Sequence, residues 1–184
     1  SGFAQLDYTA RNPNWNMPAR FYTFSRMLDG GSTVQFFAID TTPIHTFLSN
    51  PCAQLQWLDD ALAASDADWK IVFGHHPLYS HGEHGVDWVM IIRLGPILAQ
   101  RGVDVYFAGH DHTLEMLRPV DGVHHVVSGA GGGPDKAYRI DWTDDAFYAA
   151  TLGGFVAVRV SADELVIEFV RLDGEAQYAQ TLHR

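Results

Sequence analysis

The sequence predicts a mixed α/β fold in which helices cover a sheet. Short apolar runs alternate with longer amphipathic segments in the middle of the chain, which is typical of strands joined by helices. Aromatic and β-branched runs near both ends surround turn residues, which is typical of antiparallel hairpins. Hydrophobic residues make up 47% and charged residues 18% of the 184 positions, a globular balance that suffices for one domain or for part of a larger one.

The N-terminal part is predicted to be irregular and then to form a hairpin. Residues 1–19 contain Pro13 and Pro18, which block regular structure. The segments "ARFYTFSRML" and "STVQFFAID" are strand-like and surround the glycine turn "DGG". The following segment, "TTPIHTFLSNP", is predicted to be a loop.

The middle of the chain alternates between predicted helices and strands. In "CAQLQWLDDALAAS" the apolar residues recur at helical spacing, and "DWKIVFG" is a short buried strand. Next, "WVMIIRLGPILAQRG" is a helix that Pro96 is expected to kink and Gly102 to end. Two more buried strands follow, "VDVYFAG" and "GVHHVVSGAGGG", the latter closing in a glycine-rich loop. From Gly153 onward, apolar alternation around "SADE" and "DGEA" predicts two or three antiparallel strands.

The charge and the cysteine content exclude several classes of function. The formal net charge is −10, which argues against nucleic-acid binding, because that needs basic patches. A small anionic substrate stays compatible with this charge, because bound metal cations reverse the local field. Cys52 is the single cysteine, so neither an internal disulfide nor a thiolate metal cluster is possible. No apolar run approaches the roughly 20 residues of a membrane span.

Histidines follow two of the predicted strands. His75 comes directly after Gly74 in "GHHP", and His110 and His112 follow Gly109 in "GHDH". Ligands gather beyond the carboxyl ends of strands in such sheets. Since residues two apart in an extended chain point to the same side, His110 and His112 are expected to face one site. Imidazole suits Zn, Fe, Cu and Ni, so the pattern predicts a metal site.

The neighbouring polar residues are given supporting roles. Asp111, Glu83 or Asp87 is expected to accept the second ring N–H of a ligand, as outer carboxylates do in metal sites. His76 is expected to form the pocket wall or to lie just outside the ligands, and His81 to line the substrate pocket. A competing interpretation, that all of these are polar strand-end residues satisfied by water and backbone, does not explain why both clusters follow adjacent predicted strands.

A second pair of histidines receives a structural interpretation. His124 and His125 are adjacent within the predicted strand "GVHHVVS". Because side chains alternate along a strand, one is expected to point inward and the other outward.

These blocks, in this order, resemble the purple acid phosphatases of the metallophosphoesterase superfamily, in particular their small tartrate-resistant type. The resemblance runs over nearly the whole chain, through "WNMPARFYTF", "GHHPLYSHGEHG", "YFAGHDHTLE", "VVSGAGGG" and "LGGFVAV". It implies a metallophosphoesterase-like αββα sandwich of which this chain is the C-terminal portion. It also implies a binuclear metal centre, Fe(III) with Fe, Zn or Mn, and hydrolysis of phosphate monoesters at acidic pH.

The resemblance further implies individual roles. His75 and His110 would ligate the divalent metal, and His112 the ferric ion. His84, in "GEHG", would lie beside the substrate phosphate or protonate the leaving group, with His81 as a further substrate contact. In that mechanism a metal-activated hydroxide attacks the phosphate. An imidazole with its ordinary pKa of about 6.5 is protonated at acid pH and acts as a general acid.

Several motifs of that family are absent. The family carries an early Asp, a "GDxxY" motif and a "GNH" motif, whereas this sequence contains neither Gly-Asp nor Gly-Asn. We therefore expect residues 1–184 to be the C-terminal part of a single metallophosphoesterase domain. An N-terminal half of the same enzyme, present as a separate polypeptide or clipped after folding, would supply the remaining ligands. The 184-residue chain alone is expected to bind metal weakly and to hydrolyse nothing.

Two alternatives stay open at this point. One is a phosphodiesterase of the same superfamily, and the other is a non-catalytic metal-binding module that keeps the fold. Under the leading interpretation the substrate is a small phosphate ester. Secretion or periplasmic export is expected from the resemblance alone, because no signal peptide is recognisable at Ser1.

Overall fold

The computed structural model describes residues 2–46, 50–132 and 144–184, which form a layer of helices, a seven-stranded sheet and a three-stranded sheet. The helices are α1 Gly2–Thr9, α2 Thr41–His45, α3 Cys52–Ala63 and α4 Trp88–Gln100. The strands are β1 Tyr22–Met27, β2 Thr33–Ala38, β3 Trp69–Phe73, β4 Val105–Ala108, β5 Leu114–Leu117, β6 His124–Ser128, β7 Ala146–Ala150, β8 Gly154–Val160, β9 Glu164–Arg171 and β10 Ala176–His183. The predicted mixed α/β fold is confirmed.

The seven-stranded sheet has a parallel centre and antiparallel margins. Its order is β1-β2-β3-β4-β6-β5-β7, and the neighbours β2, β3, β4 and β6 run parallel. The predicted hairpin is present as β1 and β2, which pair antiparallel around the turn at Asp29–Gly31. Because β3 and β4 are parallel, their carboxyl ends open at the same edge of the sheet. His75 and His76 follow β3 and His110 and His112 follow β4, so these four histidines lie at that edge.

One face of this sheet is covered by the helices. Side chains from the sheet, including Phe37, Val72 and Tyr106, pack against buried leucines of α3 and α4. The apolar spacing that predicted both helices therefore reflects a real buried stripe. Gly102 follows α4 with a φ of +63°, the left-handed conformation expected at a helix end. Pro96 lies inside α4 without ending it.

The other face packs on the three-stranded sheet, whose order is β10-β9-β8. Ile71 and Val105 belong to the same buried cluster as Ile167 and Phe169 of β9. This packing leaves an apolar cavity of about 390 Å³ between the two sheets. The cavity is lined by Phe36, Ile71, Phe73, Phe107, Ser128, Val156, Val158 and Val160.

Two predictions about local structure are wrong, and two strands have no counterpart in the predictions. Residues 1–19 are not irregular throughout, since α1 occupies Gly2–Thr9, before the first proline. The segment predicted as a loop after β2 contains α2, whose N-cap Asp40 accepts the Thr42 N–H at 3.1 Å; residues 47–49 of that segment lie outside the described residues. Strands β5 and β7 were not predicted, and they pair antiparallel with each other. Gly133, at the end of the predicted glycine-rich loop, is also outside the described residues.

In the part of the chain that the structure describes, every helix is too short or too polar to cross a membrane.

Candidate functional site

His75 and His110 meet at the carboxyl edge of the seven-stranded sheet. His75 follows β3 and His110 follows β4, which are parallel neighbours with Phe73 paired to Phe107. The Gly109 N–H donates to the carbonyl of His75 at 3.0 Å, which ties the two loops together. Nδ1 of His110 lies 3.1 Å from Nε2 of His75. The structure therefore brings together two of the predicted metal ligands.

His112 does not join them in the way the sequence predicted. His110 has a φ of 67°, so the chain is not extended here and the alternation argument for His110 and His112 is wrong. His112 instead lies beside the turn after β6, where a Cβ on Gly132 would be 3.1 Å from its Nε2. Among the described residues, His75, His76 and His110 form the group of three in which one ring nitrogen from each residue lies within 4.8 Å of the other two.

His76 is held by Thr41, a residue that the sequence analysis did not single out. Oγ1 of Thr41 accepts the backbone N–H groups of His75 at 3.3 Å and of His76 at 3.1 Å. With both lone pairs used, the hydroxyl donates its proton to Nδ1 of His76 at 2.7 Å. A neutral His76 ring then carries its own proton on Nε2. A protonated nitrogen does not bind a metal, so this tautomer favours a place beside the ligands, as predicted for His76.

Burial lowers the pKa of all three of these imidazoles. Desolvation is the first cause for His75, followed by the charge of His112. For His110 desolvation is followed by the charges of His84 and His75. The pKa of His76 falls to about 4, first through desolvation and then through the nearby His110. The cluster is therefore neutral near pH 7, which is the protonation state that metal ligation requires.

His84 packs on this cluster and is oriented by Asp111. Its ring centroid lies 4.1 Å from that of His110. Oδ1 of Asp111 accepts from Nδ1 of His84 at 2.6 Å and from the His84 backbone N–H at 3.1 Å. Asp111 is buried, whereas 54% of the His84 side chain is exposed. The carboxylate thus fixes the ring and leaves Nε2 for a ligand arriving from solvent.

The other candidate carboxylates have different positions. Asp87 contacts Nδ1 of His45, whose ring stacks on His76 at 4.4 Å between centroids. Glu83 is exposed. Oδ2 of Asp111 is buried and has no hydrogen-bond partner among residues 2–46, 50–132 and 144–184. Of the three carboxylates that the sequence offered, Asp111 is the one that contacts a predicted site histidine.

His81 lies between two carboxylates. Its Nδ1 is 3.1 Å from Oε2 of the buried Glu115, and its Nε2 is 2.8 Å from Oδ1 of Asp145. Glu115 is a second residue that the sequence analysis did not identify. An acidic residue inside the short apolar run "TLEML", just after "GHDH", was the available signal.

A cleft of about 470 Å³ opens beside the cluster. Four histidines, the apolar residues Val86 and Trp88, and Asp87 contribute to its wall. Trp88 and Val86 are exposed, and His81 is not among the lining residues. The full lining is His45, His76, Pro77, His84, Gly85, Val86, Asp87, Trp88, Val89 and His110. The cleft gives a small molecule access to both His84 and His110.

The donor set fits a metal ion of the imidazole-binding kind. Converging neutral imidazoles are ligands that Zn and Fe accept, and the buried carboxylate beside them is typical of the outer part of such a site. The described residues supply few ligands for two ions, since the carboxylates nearby are engaged with histidines.

Comparisons with known proteins identify the family of this chain. The family model for calcineurin-like phosphoesterases matches residues 5–114. Human tartrate-resistant acid phosphatase type 5 is 32% identical over 203 aligned residues, which cover 98% of this chain and 62% of that protein. The chain thus spans 62% of the length of this relative.

Two solved structures share the fold. The structure of GAP50, described as the anchor in the inner membrane complex of Plasmodium, superposes with a TM-score of 0.86 at 23% identity, covering 100% of this chain and 62% of that one. The purple acid phosphatase PPD1 from yellow lupin seeds gives a TM-score of 0.77 at 20% identity, covering 92% and 34%. The match to the family model and the sequence identity to curated relatives show that the chain belongs to the calcineurin-like phosphoesterase family and is a homologue of the tartrate-resistant and purple acid phosphatases.

Proposed function

We propose that this chain forms the C-terminal part of a metal-dependent phosphoric-ester hydrolase that acts on phosphate monoesters. One observation carries the proposal: His75 and His110, from the ends of two parallel strands, meet at 3.1 Å between ring nitrogens with His84 packed beside them. Polar strand-end residues satisfied only by water and backbone would not explain why the ring nitrogens of His75 and His110 converge.

His75, His110 and His112 are the proposed ligands of a binuclear centre, Fe(III) with Fe, Zn or Mn. When bound, such cations supply positive charge for a phosphate group and make hydroxide available from water below its ordinary pKa. His76 supports the site from beside the ligands, because its bond to Thr41 leaves the ring proton on Nε2. Asp111 supports it through His84.

His84 is the proposed catalytic and substrate-binding side chain. Its Nδ1 is held by Asp111, so its Nε2 is the nitrogen that meets a substrate in the cleft. A protonated Nε2 donates a hydrogen bond to a phosphate oxygen, or a proton to the oxygen of the leaving group. His81 is proposed as a second substrate contact. Because both of its ring nitrogens face the carboxylates of Glu115 and Asp145, the ring must leave them to reach a substrate.

An N-terminal half of the same enzyme is proposed to complete the centre and the sheets. Three imidazoles leave two metal ions short of ligands. The apolar cavity between the sheets and the neighbouring strand β8 also offer a place for further chain, since β8 pairs with β9 alone among the named strands of the described residues. Residues 1–184 would then be the C-terminal part of one metallophosphoesterase domain. Secretion or periplasmic export is proposed by analogy with the homologues.

The test uses the complete natural protein that contains this chain, purified with its metals. We expect it to hydrolyse p-nitrophenyl phosphate at acidic pH and to leave bis-p-nitrophenyl phosphate largely intact. Preference for the bis-ester would establish the phosphodiesterase alternative. Stoichiometric metal without turnover of either ester would establish the non-catalytic module.

The role of the N-terminal half has a separate test. A 20.4 kDa chain that purifies as a single folded monomer and hydrolyses the monoester by itself would contradict the proposed division of ligands. Co-purification with an N-terminal polypeptide, seen by mass spectrometry, is the expected result.

A further inference from the structure

The loop from Ser80 to His84 is held in place by a buried carboxylate that lies outside the cluster of His75, His76 and His110. Glu115 lies on β5 and is fully buried. Its Oε1 accepts from the hydroxyl of Thr113 at 2.6 Å and from that of Ser80 at 3.0 Å. Its Oε2 accepts the backbone N–H of His81 at 2.8 Å and lies 3.1 Å from Nδ1 of the same residue. Three of these four contacts come from the loop.

Such a carboxylate is tolerated because its donors replace the water that it lost. A buried carboxylate without hydrogen bonds is strongly unfavourable, and hydrogen bonds to a charged group are roughly twice as strong as neutral ones. The same bonds fix the donors. Since Ser80 and His81 are the donors from the loop, the position of Glu115 sets the position of that part of the loop.

The opposite end of the loop is fixed in the same way. Asp111 accepts both the backbone N–H and Nδ1 of His84. Between the two anchors, Ser80 Oγ accepts the N–H of Gly82 at 2.9 Å. A Cβ at Gly82 would lie 2.6 Å from Cγ of Asp111, so the loop also presses closely on the second carboxylate. The five residues from Ser80 to His84 therefore span two buried carboxylates.

We propose that Glu115 is a positioning residue for the hydrolysis, acting through Ser80 and His81 to hold His84 against His110. It does not face the cleft and contacts no proposed metal ligand. The kinetic consequence rests on the proposed function of His84, whereas the structural consequence does not.

The test compares Glu115→Gln with Glu175→Gln in the complete protein, loaded with zinc for NMR and hydrogen exchange and purified with its own metals for kinetics. Glu175→Gln makes the same chemical change at an exposed turn position. In Glu115→Gln an amide group replaces one acceptor and faces donors that need an acceptor. We expect faster backbone hydrogen exchange in the segment containing Ser80 to His84, and a shifted NMR resonance for the His84 ring. Glu175→Gln should leave both signals unchanged.

Kinetics give a readout that a merely structural role would not move. If His84 protonates the leaving group, its misplacement harms esters with poor leaving groups most. For Glu115→Gln we expect kcat for an alkyl phosphate to fall about 10- to 100-fold, with a smaller loss for p-nitrophenyl phosphate. Ser80→Ala is the second variant if Glu115→Gln fails to fold. It removes one donor to Glu115 and also the acceptor of the Gly82 N–H, and it should give a smaller change in the same direction.

The outcomes separate the two proposals. Unchanged hydrogen exchange and an unchanged His84 resonance in both Glu115→Gln and Ser80→Ala would overturn the positioning role of Glu115. Equal losses of kcat for both esters would also overturn it, because they would indicate general disruption of the site rather than loss of proton donation by His84. If the unaltered protein hydrolyses no monoester, the proposed function fails, and the exchange and NMR measurements still decide whether Glu115 positions His84.

Discussion

Two groups of histidines lie on or beside the parallel strands of the seven-stranded sheet, yet only one has the geometry of a site. The first group, His75, His76 and His110, directs ring nitrogens to within 4.8 Å of one another. The second group is the adjacent pair His124 and His125 on β6. In that pair both Nδ1 atoms are buried without a hydrogen-bond partner among the described residues.

The pair on β6 faces two different layers. His124 is level with Val105, which belongs to the packing between the two sheets, and His125 is level with Tyr106, which faces the helices. His125 contacts the rings of Tyr79 and Tyr106. One of the pair therefore points to each side of the sheet, as the alternation predicted.

The comparison shows that burial alone does not distinguish a metal site. Burial lowers the pKa of His110 and of His125 alike, so both are neutral near pH 7. What differs is convergence. Strand ends let side chains from separate strands point at one place, whereas neighbours within a strand point apart. Each prediction below tests whether convergence, rather than burial, marks the metal site.

The largest effect is expected from removing a converging imidazole. In the complete protein, His110→Ala should lower kcat for p-nitrophenyl phosphate about a thousandfold or more and reduce the bound metal, because the cations supply several kcal/mol of stabilisation to the transition state. The exposed His183→Ala serves as the matched control and should leave both unchanged. Full metal content in His110→Ala, measured by elemental analysis, would show that the converging imidazoles do not hold the metal.

The next effect concerns stability and comes from His125. Its pKa is lowered to about 4, first by burial and then by His124. The unfolded chain binds this proton near pH 6.5 and the folded chain only near pH 4, so the stabilisation is present above pH 6.5 and is lost as the pH falls to 4. The loss amounts to about 3 kcal/mol. Urea unfolding between pH 7 and pH 4 should show a shallower decline in His125→Leu than in the unaltered chain. If the free energy of unfolding fell equally with pH in both proteins, the predicted contribution of His125 would be contradicted.

A smaller loss is expected at Gly82. The substitution Gly82→Ala places a methyl group 2.6 Å from Cγ of Asp111, so the loop and His84 must shift. A displacement of this kind should cost about 10- to 100-fold in kcat. Gly95→Ala is the control, because its Cβ would lie at an ordinary 3.7 Å from Leu78 and alanine favours the helix. Equal activities of the two variants would show that the loop adapts without cost.

The smallest effect is expected at His124. Replacing it with Gln should leave metal content unchanged and kcat within about twofold of the unaltered protein, and should change stability by about 1 kcal/mol or less. Elemental analysis and steady-state kinetics measure both. A clear loss of metal in this variant would place His124 in the centre and remove the contrast between the two groups.

Much of the fold followed from local patterns, and the exceptions share a cause. β3, β4, α3 and α4 were predicted because their apolar spacing reflects burial on a sheet or helix face. β5 and β7 were not, because they are short and depend on pairing with each other across about thirty residues. α1 and α2 are also short, and prolines lie near or within both segments.

The site likewise contains residues that a local sequence pattern predicts and contacts that no local pattern contains. His75 and His110 could be predicted because each follows a strand and a glycine. The bond from Thr41 to His76 joins residues 35 positions apart, and the same separation divides Ser80 from Glu115. No local pattern contains such contacts, so neither the tautomer of His76 nor the anchor of the His84 loop could be foreseen.

The most direct test of the central claim is an anomalous-scattering map from crystals of the complete protein, collected at the iron and zinc edges. Our account predicts two metal peaks at the carboxyl edge of the sheet. His75 and His110 should lie within about 2.1 Å of one peak and His112 within about the same distance of the other. A map with no peak near these rings, in protein that contains stoichiometric metal, would contradict it.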